Sequence, residues 1–123
     1  MPYTVSADEQ YRLVEVVYSG QITISTRVCA MEDGVTLLDS QQYRRVLIDL
    51  RAAVAAPESL DVGNAFATRM AHRPRVRDSR LAYLTLPHQH SNLLIENMAA
   101  ARHLSLQRFN RREDALQWLL LEP

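Results

Sequence analysis

Apolar residues along this chain fall into short dense runs that alternate with longer stretches of mixed character. The runs at 11–18, 45–51, 81–86 and 104–109 are rich in β-branched and other apolar residues and are typical of strands. Residues 3–5 are a further candidate for a short edge strand. The apolar run inside 45–51 is interrupted only by Asp49, a pattern that favours a central strand covered on both faces.

The dipeptide Ser19-Gly20 predicts a tight turn after the strand at 11–18. A second extended segment follows it at 21–24. Parallel pairing needs a long crossover, so these two segments are expected to form an antiparallel hairpin. A polar turn is expected at 6–9, and residues 52–57 are expected to form a loop of small residues.

Four segments carry apolar residues at helical spacing. Their predicted capping residues are Ser25 or Thr26, Ser59 or Asp61, Ser91 or Asn92, and Asn110 with Glu113 at the capping-box position. Strands that alternate with helices predict an α/β fold with a mostly parallel sheet of about five strands, begun by a β-hairpin, and four helices. Functional loops are then expected at the carboxyl ends of the strands.

Length and composition fit one domain spanning 1–123, since 123 residues with 47% hydrophobic content can bury a core without a staple. A single cysteine cannot form an internal disulfide. No signal-peptide pattern and no apolar run long enough to span a bilayer appear, so we expect a cytoplasmic protein with no membrane span. Net charge is zero, which argues against nucleic acid as the partner.

All 14 basic residues are arginine, which excludes lysine Schiff-base chemistry and a lysine-containing phosphate loop. His88 and His90 lack a third metal ligand at a recognisable spacing. Cys29 and His103 leave an enzymatic alternative open, although a buried apolar role is the usual one for such a cysteine. We therefore expect no metal, no cofactor and no catalytic activity.

Three segments in order carry a resemblance to a known family: 17–23 (Val-Tyr-Ser-Gly-Gln-Ile-Thr), 46–51 (Val-Leu-Ile-Asp-Leu-Arg) and 112–119 (Arg-Glu-Asp-Ala-Leu-Gln-Trp-Leu). Together they resemble the STAS-like domain, in the SpoIIAA-like (STAS/SEC14) group related to the anti-sigma factor antagonists. The resemblance implies that fold and a non-catalytic regulatory binding module. It also implies protein–protein contact near the loop before the second helix, with an anti-sigma factor or a kinase-like regulator as the candidate partner.

The chain departs from the antagonists at one motif. In those proteins an Asp-Ser-Ser-Gly motif after the central strand carries a phosphorylated serine. Ser59 stands at the corresponding place, but the flanking aspartate and glycine are absent. Ser59 is therefore a candidate phosphorylation or anion site, together with Arg51. The alternative is a helix cap at Ser59 and a salt bridge from Arg51 to Glu58 or Asp61.

Three further groups of residues are candidates for binding. The predicted partner surface consists of Glu58, Asp61 and Asn64. A predicted basic patch consists of Arg69, Arg73, Arg75 and Arg77, which could bind lipid headgroups, nucleic acid or an acidic protein face. The alternative is a solvated helix end and loop, where arginines complement the helix dipole. The alternative function is a small carrier or sensor of an apolar or lipid-like ligand, in a pocket beside Phe66, Met70 and Met98. A homodimer is a further expectation.

Overall fold

A computed structural model describes residues 2–56, 58–90 and 92–121. The strands in this part of the chain are β1 (Tyr3–Asp8), β2 (Leu13–Ile22), β3 (Arg45–Ala55), β4 (Arg80–Leu84) and β5 (Ser105–Phe109). The helices are α1 (Ile24–Gln41), α2 (Leu60–Ala71), α3 (Pro74–Arg77), α4 (Leu93–Ala101) and α5 (Arg112–Leu119). The α/β class, the five-stranded sheet and the four longer helices confirm the sequence prediction. The additional helix, α3, is a single turn that begins at Pro74, where proline suits the first helical position.

The five strands form one sheet in the order in which they occur along the chain. β1 and β2 pair antiparallel, and every later neighbouring pair is parallel. The carboxyl ends of β2, β3, β4 and β5 therefore meet at one edge of the sheet, which we call the carboxyl edge. α1, α2 and α4 begin just after it.

The two faces of the sheet are covered unequally. α1, α2, α3 and α4 pack on one face, where residues such as Val16, Leu50 and Tyr83 form the larger core cluster. α5 alone covers the opposite face, through Ala115 and Leu119. Successive residues of a strand point to opposite faces, so Leu47 lies in the α5 cluster while its neighbour Val46 lies in the larger one.

The predicted position of the hairpin is wrong. The chain turns between Asp8 and Leu13, where Arg12 adopts a left-handed φ of 53°. Ser19 and Gly20 instead lie inside the continuous strand β2. They follow an irregularity in the β2–β3 register after Val17, and Gly20 has a φ of 67° that favours glycine. The Ser-Gly signal therefore lies beside an irregularity in a continuous strand pairing and does not mark a chain reversal.

Residues 52–55 belong to β3 and do not form the expected loop, because they pair with Ser19–Ile22 of the extended β2. The predicted caps also differ from those observed. Thr23, rather than Ser25 or Thr26, caps α1 by accepting a hydrogen bond from the Thr26 amide at 3.3 Å. α5 follows Arg111 and has no side-chain cap, so Asn110 does not serve that role.

Ser59 caps α2 as predicted. Asn92 occupies the N-cap position of α4 without a side-chain capping hydrogen bond. Ser91, the alternative cap, lies outside the described residues. Across the described residues, no helix combines the length and the apolar character that crossing a bilayer would need.

Candidate functional site

β2 and β3 project beyond the rest of the sheet at the carboxyl edge. β4 pairs with β3 only as far as Leu84 opposite Asp49, whereas the β2–β3 pairing continues to Ile22 opposite Ala55. The projecting ribbon carries Val54, which is 61% exposed. An apolar side chain is therefore presented to solvent on a two-stranded ribbon.

Large exposed hydrophobic residues concentrate around this ribbon. Seven are found among the described residues, and five of them lie at or next to the carboxyl edge: Val54, Leu60, Leu86, Leu93 and Leu94. We call these five the carboxyl-edge surface. α2 and α4 pack side by side, and the Leu94 side chain comes within 3.5 Å of a Cβ placed on Gly63. Clustered apolar exposure of this kind marks an interaction site more often than scattered exposure does.

Gln89 holds the loop that carries Leu86. Its Nε2 donates to the carbonyl of Leu50 at 2.5 Å and to that of Ala53 at 3.2 Å, and its Oε1 accepts from the Leu86 amide at 2.9 Å. Within the described residues β3 has no strand partner on this side beyond Asp49, and the Gln89 amide takes up two of its free carbonyls.

A largely buried ion pair between Arg108 and Glu96 also holds this loop. Arg108 on β5 donates from Nε and Nη2 to the two carboxylate oxygens of Glu96, at 3.0 and 2.5 Å. Its Nη1 also donates to the Gln89 carbonyl at 2.6 Å, and Asn92 donates to Glu96 at 2.8 Å. Glu96 is only 5% exposed, so its charge depends on these partners. The bonded arginine fork fixes the position of the loop relative to the sheet.

Ser59 and Glu58 each accept a hydrogen bond at the N-terminus of a helix, Ser59 at α2 and Glu58 at α1. Ser59 is exposed, and its Oγ accepts from the Val62 amide at 3.2 Å. Glu58 accepts a hydrogen bond from the Ile24 amide at 3.0 Å, which places its carboxylate at the N-terminus of α1. A negative charge at that end is favourable because unsatisfied amides point toward it. Glu58 thus holds the segment before α2 against α1.

Arg51 does not join Ser59. It lies on the α5 side of the sheet and pairs with Asp49, with Nη2 to Oδ2 at 2.9 Å, rather than with Glu58 or Asp61 as expected. The reason is the strand alternation: Leu50 points into the larger cluster under α2, so Arg51 points the other way. The pairing raises the pKa of Arg51 by hydrogen bonding to Asp49.

The other residues of the predicted partner surface border the carboxyl-edge surface. Asp61 lies exposed in the first turn of α2. Asn64, one turn further, accepts a hydrogen bond from Arg102, which follows α4. Asn64 therefore contributes to the α2–α4 contact.

Of the three residues predicted to line an apolar pocket, two line a small cavity. Phe66 and Met70 line a cavity of about 60 Å³ between α1, α2 and the sheet. Met98 packs elsewhere, with its sulfur 3.6 Å from a Cβ placed on Gly63 of α2. Pockets for drug-sized or lipid-like ligands commonly exceed ~300 Å³. The volume therefore favours the binding module over the carrier.

α2 and the segment after it carry the four arginines of the predicted basic patch: Arg69, Arg73, Arg75 and Arg77. Arg69 and Arg73 both donate to Glu32 on α1, at 3.2 and 2.6 Å. Arg75 donates to Asp39 on α1 at 2.8 Å. Among the described residues only Arg77 of the four lacks an acidic partner, so most of the positive charge is neutralised within the molecule.

Cys29 is exposed, which corrects the expectation of a buried cysteine. No group of three or more histidine, cysteine, aspartate or glutamate side chains arranged to hold a metal occurs within residues 2–56, 58–90 and 92–121.

The site includes residues that the sequence prediction missed. Leu60 stands two positions before Val62, outside the helical spacing of Val62, Phe66 and Met70, and as the first residue of α2 it is 65% exposed. Gln89 bonds β3 carbonyls 36 and 39 positions away, and Arg108 bonds groups 12 to 23 positions away. No local sequence pattern signals these contacts.

Comparison with known proteins bears on the fold. The sequence matches no protein-family model and none of the curated proteins. A solved Shewanella loihica protein with a SpoIIAA-like fold is similar over 95% of this chain and 91% of its own, with a TM-score of 0.60 and 16% identity. An anti-sigma factor antagonist from Mycobacterium paratuberculosis is similar over 95% of this chain and 92% of its own, with a TM-score of 0.55 and 15% identity. This chain has the SpoIIAA-like fold, as its sequence resemblance predicted.

Proposed function

We propose that this SpoIIAA-like domain is a non-catalytic regulatory module that binds a protein partner through the carboxyl-edge surface. The observation that carries the proposal is the grouping of Val54, Leu60, Leu86, Leu93 and Leu94 at one edge, next to the segment before α2. Burying exposed aliphatic side chains is the main favourable contribution to most protein association.

The chemistry around this surface defines the partner. Glu58 and Asp61 place negative charge beside the apolar residues. A complementary partner therefore presents apolar side chains with basic residues at the margin. The fold likeness to an anti-sigma factor antagonist supports an anti-sigma factor or a kinase-like regulator as the class to test first.

The test replaces Leu60 with aspartate and measures binding to a purified anti-sigma factor or kinase-like regulator by isothermal titration calorimetry. We expect Leu60→Asp to weaken binding at least about tenfold, because a charge replaces a buried aliphatic contact. Leu121→Asp is the matched control, since Leu121 is 54% exposed but follows α5 at the other end of the molecule.

Two results would contradict the proposal: equal binding by Leu60→Asp and the unchanged chain, or equal losses in both variants. A homodimer through the same surface would appear instead as concentration-dependent sedimentation of the purified chain that Leu60→Asp abolishes.

Phosphorylation of Ser59 stays a prediction. The phosphate dianion on Ser59 would stand beside Leu60 and oppose apolar contact. Intact mass after incubation with the kinase and ATP, with Ser59→Ala as control, would detect it.

A further inference from the structure

Three polar side chains line the small cavity beneath α1 and α2. They are Arg27 from the start of α1, Tyr18 from β2 and Tyr83 from β4. All three are almost completely buried, with exposed fractions of 4%, 5% and 2%. Apolar residues such as Phe66 and Met70 form much of the remaining wall. The cavity is therefore apolar except for one cation and two phenols.

In the part of the chain that the structure describes, Arg27 lacks the carboxylate partner that two half-buried arginines, Arg108 and Arg112, possess. Arg108 and Arg112 each bond a glutamate through two nitrogens. The ion pairs among the described residues do not include Arg27. Glu96 lies near enough to Tyr83 to influence its pKa, but its carboxylate is held by Arg108 and Asn92. The charge of Arg27 is thus buried without a carboxylate from the described chain.

The two phenols remain donors in this setting. Burial raises the pKa of Tyr18 to about 12, and Arg27 acts in the opposite direction. Burial also raises the pKa of Tyr83, with the same opposing effect of Arg27. Both hydroxyls therefore keep their protons near neutral pH. A guanidinium and two hydroxyls offer a set of donors that an oxyanion can accept.

We propose that this cavity, which we call the Arg27 cavity, binds one small oxyanion of the size of inorganic phosphate. The anion is held by the Arg27 guanidinium and by the hydroxyls of Tyr18 and Tyr83. A buried cation is costly unless it is paired and hydrogen-bonded, and the anion supplies both. A cavity of about 60 Å³ suits a small ion, whereas pockets for larger ligands such as nucleotides or lipids commonly exceed ~300 Å³.

The test measures binding of inorganic phosphate to the full chain by isothermal titration calorimetry, and the midpoint of thermal unfolding in phosphate and in chloride at one ionic strength. We expect saturable 1:1 binding and a rise of the midpoint in phosphate but not in chloride, because a ligand of the folded state alone stabilises it. Arg27→Met should weaken phosphate binding at least about tenfold, the usual effect of losing a charge-assisted hydrogen bond.

Arg77→Met is the charge-matched control, because Arg77 is exposed on α3 and should leave phosphate binding unchanged. Tyr83→Phe keeps the charge and the packing and should weaken phosphate binding severalfold, which keeps the test decisive if Arg27→Met does not fold. A cavity that holds only water would give no saturable phosphate binding and would overturn the proposal. Equal losses in Arg27→Met and Arg77→Met, or no loss in both Arg27→Met and Tyr83→Phe, would overturn it as well.

Discussion

At the scale of single residues, the arginine fork organises much of the polar structure. Arg112 bonds both carboxylate oxygens of Glu15 at 2.8 Å, and Arg51 bonds both oxygens of Asp49. Two parallel hydrogen bonds fix orientation as well as distance, which the point charge of a lysine cannot do. The carboxylates of Glu15 and Asp49, which lie on the α5 side of the sheet, are therefore each held in one orientation.

Asp49 gives a pH-dependent prediction. Burial raises its pKa, but hydrogen bonds from the Arg51 side chain and amide outweigh burial and hold the pKa below the usual value. A depressed pKa in the folded state adds stability above the unfolded value, about 3.9, and that stability is lost as pH falls through the folded pKa. We expect the difference in unfolding free energy between the unchanged chain and Asp49→Asn to shrink between pH 7 and pH 3.

Urea unfolding at both pH values measures this difference. Asp78→Asn is the control, because Asp78 is exposed and has no ion pair among the described residues. A difference for Asp49→Asn that stays constant from pH 7 to pH 3 would show that the ion pair with Arg51 does not stabilise the fold.

At the scale of elements, the loop after β4 depends on one amide side chain. Gln89→Ala removes two hydrogen bonds to β3 carbonyls and the acceptor of the Leu86 amide. We expect faster hydrogen exchange at the Leu86 amide and weaker partner binding, because the loop no longer holds Leu86 in place. Hydrogen–deuterium exchange read by mass spectrometry measures the first effect.

Gln107→Ala is the matched control for this loop. Gln107 is exposed on β5 and makes no side-chain hydrogen bond to another described residue. Unchanged exchange at Leu86 in Gln89→Ala would mean that the Arg108–Glu96 pair alone holds the loop.

Local sequence signals predicted the elements well where propensity and tertiary pairing agree. Ser59 caps α2, and the strand around Asp49 is central, as expected. The turn predicted at Ser19-Gly20 was wrong because these residues pair with Ala52 and Ala53 of β3, while the true turn at Arg12 carries no glycine. The candidate site was predicted only in part, near Ser59. Its apolar residues come together because the end of β3 and the beginnings of α2 and α4 lie at the same edge of the sheet. That arrangement follows from the sheet topology and not from local sequence.

At the scale of the whole molecule, α5 is the helix that packs on the smaller core cluster of the sheet. Leu119 of α5 is 1% exposed and packs with Leu13, Leu47 and Leu84. Leu119→Ala should lower the free energy of unfolding by about 2–5 kcal/mol, through lost burial and the cavity that remains. Leu121→Ala, at a position 54% exposed, should change it by less than about 0.5 kcal/mol.

Urea denaturation of both variants tests this expectation at one temperature and pH. Similar small losses for Leu119→Ala and Leu121→Ala would indicate that α5 contributes little to stability and that the face beneath it tolerates exposure.

The sequential strand order has a kinetic consequence. Each strand pairs with its neighbours along the chain, so the sheet can form from loop closures of moderate length, whose entropic cost is low. α5 is different, since Arg112 reaches Glu15 across 97 positions and Arg45 reaches the Leu119 carbonyl across 74. We expect the sheet and its four-helix face to form first during synthesis. The opposite face then stays open to chaperones until α5 leaves the ribosome and docks.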